Sequence, residues 1–253
     1  MLLRRICQHV TEQNWFAVFL DFIIVVVGVF IGIQVANWNA ERAEFRKETG
    51  ALIELKKELK SSIDTTQSKI EAYQQAAAAG IRSLAFIDGQ KSCAENCWPV
   101  LVDFMHASQW QDLNSRYASY QNMRNQGFPK STIITDAVEA YIAQNKNNAD
   151  TYELLPVYRS LVRQIINVKA QNFYWAHCWS LIDGVEKYNL NCPLGVSEQE
   201  AQRMTEQIVN NPKIKPHLTE WIGAVVSLPA TLGGQNIAAQ KAIDFINEEL
   251  DRR

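Results

Sequence analysis

The stretch Phe16-Ala17-Val18-Phe19-Leu20-Asp21-Phe22-Ile23-Ile24-Val25-Val26-Val27-Gly28-Val29-Phe30-Ile31-Gly32-Ile33 decides how this chain is read. Fourteen of its eighteen residues are Val, Ile, Leu or Phe, and Asp21 is its one charge. An apolar run of that length meets the requirement for a helix that spans a bilayer. On the insertion scale those fourteen contribute roughly 4 to 8 kcal/mol, against about 2.5 to 3.5 kcal/mol for a central Asp and less for one nearer the end, so insertion wins. Trp15 and Trp38 bracket the run, and 23 residues at the helical rise set them about 34 Å apart, as two aromatic interface anchors should be. A cleaved signal peptide is the rival reading, because Arg4 and Arg5 precede the run and Ala36 or Ala40 could lie near a cleavage site. The length, the acid and the lack of an A-x-A pattern favour a retained anchor. Cys7 precedes the run rather than following it, as a plain juxtamembrane thiol would.

One face of this helix carries more than hydropathy. At 100° per residue, Val25, Gly28, Gly32 and Val35 project within about 40° of Asp21. Gly28 and Gly32 form a GxxxG, which lets a second helix approach closely in lipid. An intramembrane acid normally faces protein or water, so Asp21, Val25, Gly28 and Gly32 are read as a helix-contact face. The alternative is that the glycines are incidental and Asp21 snorkels to the interface near Trp15.

The stretch Leu20–Asn39, LDFIIVVVGVFIGIQVANWN, resembles the N-terminal signature of a family of bacterial single-span membrane proteins grouped as a domain of unknown function. Its pattern is LDFxIVVxGVFxGxQxxNWN, followed by a long helical region. Ser119-Tyr120-Gln121-Asn122-Met123-Arg124-Asn125-Gln126-Gly127 is similar to a second family segment, with Met123 where Leu is usual. The resemblance implies the topology and brings no catalytic residues.

Basic residues do not fix the orientation, because Arg4 and Arg5 before the span are outnumbered by Arg42, Arg46, Lys47, Lys56 and Lys57 after it. Long domains are in any case translocated largely regardless of charge. Cysteine usage arbitrates. Cys93-x3-Cys97 and Cys178-x13-Cys192 lie in the large region beside turn signals, and an even count there reads as two disulfides and an oxidising compartment. Two local bridges are preferred among three connectivities. A four-cysteine zinc site, with spacing unlike paired CxxC, and four unrelated buried thiols are the competing readings. The expected layout is a cytoplasmic segment at 1–14, a transmembrane helix at 15–38 and a periplasmic all-helical domain at 39–253, in the bacterial inner membrane.

After the span, Phe45, Leu52, Leu55, Leu59, Ile63, Ile70, Tyr73 and Ala77 recur at helical spacings, so one amphipathic helix continues to about Asp88-Gly89. Further helices are expected at 100–106, 111–126, 136–145 and 150–182. The loop 183–195 follows, then a helix opened by a Ser197/Glu200 capping box and reaching about 210, a break at Pro212 and Pro216, and a final pair of helices at 217–227 and 229–249. No period-2 run of β-branched residues stands out. The fold class expected is all-α: a transmembrane helix, a long amphipathic helix and a helical bundle. With 253 residues the chain has room for a sizeable core, and Gly plus Pro, at 18, are too few for a turn-dense β fold.

Chemistry is sparse. Lys plus Arg number 25 against 27 for Asp plus Glu, so no basic excess points to nucleic acid. HExxH, GxSxG, P-loop and dinucleotide fingerprints are absent. His9, His106, His177 and His217 are scattered without i, i+4 pairing, as surface or core histidines are, although a site using His106 and His177 stays open. The run Phe173-Tyr174-Trp175-Ala176-His177-Cys178-Trp179 is either a ligand pocket or, preferably, the face of a central helix. Trp98, Trp110 and Trp221 are read as core.

The expectation is therefore a non-enzymatic, cofactor-free structural or interaction protein whose partners are the lipid bilayer and other transmembrane helices, either its own copies or a larger membrane complex. Two further readings stand beside it. One is a proton-coupled stator-like subunit using Asp21, whose expected mixed α/β pattern downstream is missing. The other is a periplasmic ligand-sensing module, which would signal through a partner because the segment before the span is short. A hydrolase reading has no motif behind it.

Overall fold

The computed structural model describes residues 15–89, 92–93 and 96–253, so the expected cytoplasmic segment, with Cys7 and His9, lies outside the described residues. The described chain is mostly helical, at 77% with about 3% strand, in eight helices and one two-stranded sheet. The helices are α1 (Trp15–Asp88), α2 (Cys97–Ala107), α3 (Ala118–Asn125), α4 (Thr132–Thr151), α5 (Val157–Ile165), α6 (Val168–His177), α7 (Glu198–Val209) and α8 (Ile214–Asp251). Strands β1 (Trp179–Ile182) and β2 (Val185–Tyr188) lie between α6 and α7. Two compact units divide the chain, Met1–Ala51 and Leu52–Arg253.

The second unit holds the core. Leu52, Leu55 and Leu59 on α1 are buried, as their spacing requires, and Ile70, Tyr73 and Ala77 continue the same stripe. Ile70, Tyr73 and Ala77 share one core cluster with Leu101, Phe104 and Met105 of α2, Tyr158 and Val162 of α5, Tyr174 of α6, and Leu218, Trp221 and Val225 of α8. Polar ties fix the packing. Arg82 on α1 makes a bidentate pair with Asp103 on α2 at 2.8 and 2.6 Å, and the Trp221 indole donates to the Ala107 carbonyl at 2.8 Å.

Local chemistry explains where elements begin and end. The expected helix to Asp88 is present as the end of α1. Ser197 and Glu200 form the expected capping box at the start of α7. The other boundaries differ from the expectation. Residues 111–117, read as helix, are irregular, because the Asp112 carboxylate accepts from the backbone N–H and side-chain amide of Asn114, and the Tyr73 hydroxyl holds Gln111 by both its N–H and its C=O at 2.8 Å. Such side-chain bonds compete with helical ones. The expected helix at 136–145 extends to Thr132–Thr151, with Ser131 capping it.

The single helix expected over 150–182 is three pieces. Pro156 biases the residue before it away from helix, and Asn167 caps a new helix by accepting from Ala170 N–H at 2.9 Å. The last piece is a strand. Asp183 and Gly184 have φ of 52° and 78°, the two consecutive positive angles of a tight hairpin turn, so Ile182 pairs with Val185 and Trp179 with Tyr188. The all-α expectation therefore stands except for this hairpin.

Conversely, the two helices expected at 217–227 and 229–249 are one, α8, which already begins at Ile214 ahead of Pro216 and carries Pro229 in its interior. Pro229 forfeits the bond its N–H would give Val225, yet Val225, Leu228 and Leu232 are all buried around it, and packing of that face outweighs the local preference.

A close approach holds the loop before α7. A Cβ at Gly195 would overlap the rings of Phe173 and Trp98, which stack edge-on with centroids 5.8 Å apart. Gly195→Ala is expected to cost on the order of 1 kcal/mol, read as a lower urea midpoint with unchanged slope.

Candidate functional site

Each unit offers its own surface. In the first, Asp21, Val25, Gly28 and Gly32 lie along one face of α1, and their spacing on a regular helix keeps them in line. All four are exposed, and a Cβ built at Gly28 or Gly32 meets nothing within 4 Å. The most apolar 18-residue window of this helix has a mean hydropathy of 2.6 and is 0% buried. Trp15 opens the helix, and its side chain lies outside the described residues. The Trp38 ring is exposed, with the Arg42 guanidinium 4.9 Å from its centroid in a cation–π contact.

In the second unit the cysteines form two local pairs at disulfide distance. Cys93 and Cys97 have Cα atoms 4.8 Å apart, and Cys178 and Cys192 have theirs 4.9 Å apart. The second pair ties the two ends of the hairpin segment. Four thiols therefore do not converge as zinc ligands, and no three His, Cys, Asp or Glu side chains among the described residues are grouped to hold a metal.

His106 is buried between the rings of Tyr174 and Tyr188, with centroids at 5.3 and 5.4 Å, and its Nε2 has no partner. Burial pushes its pKa down to about 4, against upward pulls from the Cys178 backbone and Asp103. His177 packs on Phe173, and His217 faces Glu220 at 3.3 Å, so these histidines share no site. The aromatic run serves the core. Tyr174 is buried, while Trp175 stacks on Tyr174 and Trp179.

Around His106 lies a polar interior that no motif announces. Gln109 is fully buried and donates to Tyr174 Oη at 2.9 Å, while its Oε1 accepts from Arg163 Nη2 at 3.0 Å and Arg159 Nη1 at 3.5 Å. Arg159 also donates to the Ser108 carbonyl at 2.9 Å, and Arg163 to the Ser108 hydroxyl at 3.1 Å. Arg163 lies over the Trp175 ring at 4.9 Å. Burial lowers both guanidinium pKa values, that of Arg163 to about 10 with the neighbouring Arg159 charge adding to the effect. The carboxylate of Glu186 accepts from Tyr188 Oη at 2.9 Å, and burial pushes its pKa up. Gln111 ties this group to the hairpin by accepting from Glu186 N–H at 3.0 Å.

Beside this interior opens a cleft of about 830 Å³, within the range of small-molecule sites. Its walls are the α1 stripe Ser61, Ser62, Thr65 and Lys69, the irregular segment 110–116, and the hairpin turn with Asp183, Gly184 and Glu186. No sequence motif marks the cleft's polar residues. The one signal is positional: Ser62, Thr66 and Lys69 interrupt the apolar stripe of α1 at helical spacing.

Comparisons with protein-family models, curated proteins and solved structures find no match to the chain.

Proposed function

We propose that this chain is a membrane-anchored, non-enzymatic structural or interaction protein of the bacterial inner membrane, self-associating or serving as an accessory subunit of a membrane complex. The observation that carries the reading is the uncovered apolar window of α1. A helical surface of that length and hydropathy, with no part buried, is unfavourable in water and at home in lipid. It is also where the chain resembles the single-span family, and membership in that family belongs to the proposal. The span is placed at 15–38, with the amino end cytoplasmic and 39–253 periplasmic. The two cysteine pairs at disulfide distance support the oxidising side.

Other transmembrane helices are the proposed partners, met through Asp21, Val25, Gly28 and Gly32. Single cysteines placed at Gly28 and Gly32 in native membranes are expected to crosslink, to a second copy or to a partner subunit, while one at Phe30, on the opposite face, does not. Equal yields at all three positions would remove the contact face. A carboxyl-terminal reporter active only in the cytoplasm would remove the topology.

A further inference from the structure

We propose that the cleft between α1, the 110–116 segment and the hairpin turn binds a neutral saccharide, packed on Trp110 and Leu181 and held at its hydroxyls by Arg116 and Asp183.

The charges of the cleft select against ions. Glu58, Asp112, Asp183 and Glu186 line it against Lys69 and Arg116, so an anion meets an excess of negative charge. Lys69 is moreover engaged, its ammonium donating to the Asp112 carbonyl with the Asp112 charge acting on it. A cation finds no focus, because no three acids among the described residues are grouped to hold a metal and both basic residues share the cleft's walls.

A hydroxyl both donates and accepts, so residues of either sign serve it, and its bonds to charged groups are the stronger kind. The cleft offers both signs with bonding capacity to spare. Arg116 is exposed and makes no ion pair or hydrogen bond among the described residues, so its fork of donors is free. Asp183, the exposed turn residue, has a carboxylate without a donor among the same residues. On the α1 wall the hydroxyls of Ser61 and Thr65 are likewise unpartnered.

Two walls add apolar surface. Trp110 is half-buried, and its indole N–H is tied to the Tyr152 carbonyl at 2.8 Å, so its ring is held before a ligand arrives. Leu181, 58% exposed, brings an aliphatic side chain to the hairpin wall. A small ion gains nothing from either, whereas a sugar ring has a C–H face to bury against them and hydroxyls at its rim. The cleft lies wholly in the second unit, so the inference goes beyond the membrane reading and does not depend on it.

Isothermal titration of the full-length chain tests it, in a polyoxyethylene detergent, since one with a sugar headgroup would compete. Cellobiose and N,N′-diacetylchitobiose are the neutral probes, with glucuronate and putrescine as the anionic and cationic controls. At least one disaccharide is expected to bind with a Kd below about 1 mM, and both ions at least about tenfold more weakly. Arg116→Ala, at an exposed position where folding is not at stake, is expected to weaken binding about tenfold. Asp183→Asn keeps a residue that tolerates the positive φ of the turn and should weaken binding about threefold, a charged acceptor having become a neutral one. Leu181→Ser, also exposed, should weaken it about fivefold by removing apolar surface. The proposal is overturned if neither disaccharide binds at about 10 mM, if either ion binds as tightly as the disaccharides, or if all three variants bind as the parent does.

Discussion

Replacing Gln109 by leucine is expected to destabilise the chain by about 2 to 3 kcal/mol, the cost of taking an acceptor from two half-buried guanidiniums and a donor from a buried tyrosine hydroxyl. The amide oxygen is shared by Arg159 and Arg163, and among the described residues neither makes an ion pair, although the Glu186 charge lies near enough to act on both. Its loss leaves Arg163 with the Ser108 hydroxyl and the Trp175 face, and Arg159 with the Ser108 carbonyl. Tyr174 loses the donor to its hydroxyl as well. Gln109→Glu is the informative companion. A carboxylate there faces two guanidiniums, and the Tyr174 hydroxyl can turn to donate, though the Met105 carbonyl at 3.3 Å loses its donor. The glutamate variant is therefore expected to stay within about 1 kcal/mol of the parent. Urea unfolding of the full chain in detergent, followed by circular dichroism, gives both values. Equal loss in the two variants would mean that shape rather than charge fixes the position.

Acidification from pH 7 to pH 5 is expected to lower stability by about 2 kcal/mol through His106 alone. Its pKa is about 4 when folded and about 6.5 when unfolded. The unfolded chain therefore binds more protons between those values, and stability falls as pH drops through 6.5 toward 4. The cause is the ring's enclosure by Tyr174 and Tyr188 with Nε2 unpaired, so a proton there has no acceptor. Glu186 works in the other direction. Burial raises its folded pKa, so its contribution improves as pH falls through that raised value. His106→Gln should flatten the stability profile between pH 7 and pH 5, whatever it costs at neutral pH. Glu186→Gln should leave the acid loss in place. A profile unchanged by His106→Gln would show that another group carries the slope.

The residues behind these two effects are ones that periodicity does not reveal. Arg159 and Arg163 read as the polar side of an amphipathic turn, and their i, i+4 spacing is ordinary until Ser108 and Gln109 are brought beneath them. Gln109 itself lies in an expected inter-helical gap. The cleft's wall falls within the helix expected at 111–126, and it exists because the Tyr73 hydroxyl and the Asp112–Asn114 turn keep that segment from coiling. The hairpin is half visible: Asp183-Gly184 is a strong turn signal, but the aromatic run before it resembles helix more than strand.

Runs and spacings, summed along the chain, were enough to place the uncovered apolar window of α1, the buried stripe that carries the same helix to Asp88, the capping box of α7 and the two cysteine pairs, since each depends on residues close together in sequence. The unbroken α8 through Pro229, the irregular 111–117 segment, and the meeting of Lys69, Arg116, Gln109 and the arginine pair with their surroundings were decided by packing. There, a local preference worth a few kcal/mol yields to burial and hydrogen bonds made with residues dozens of positions away.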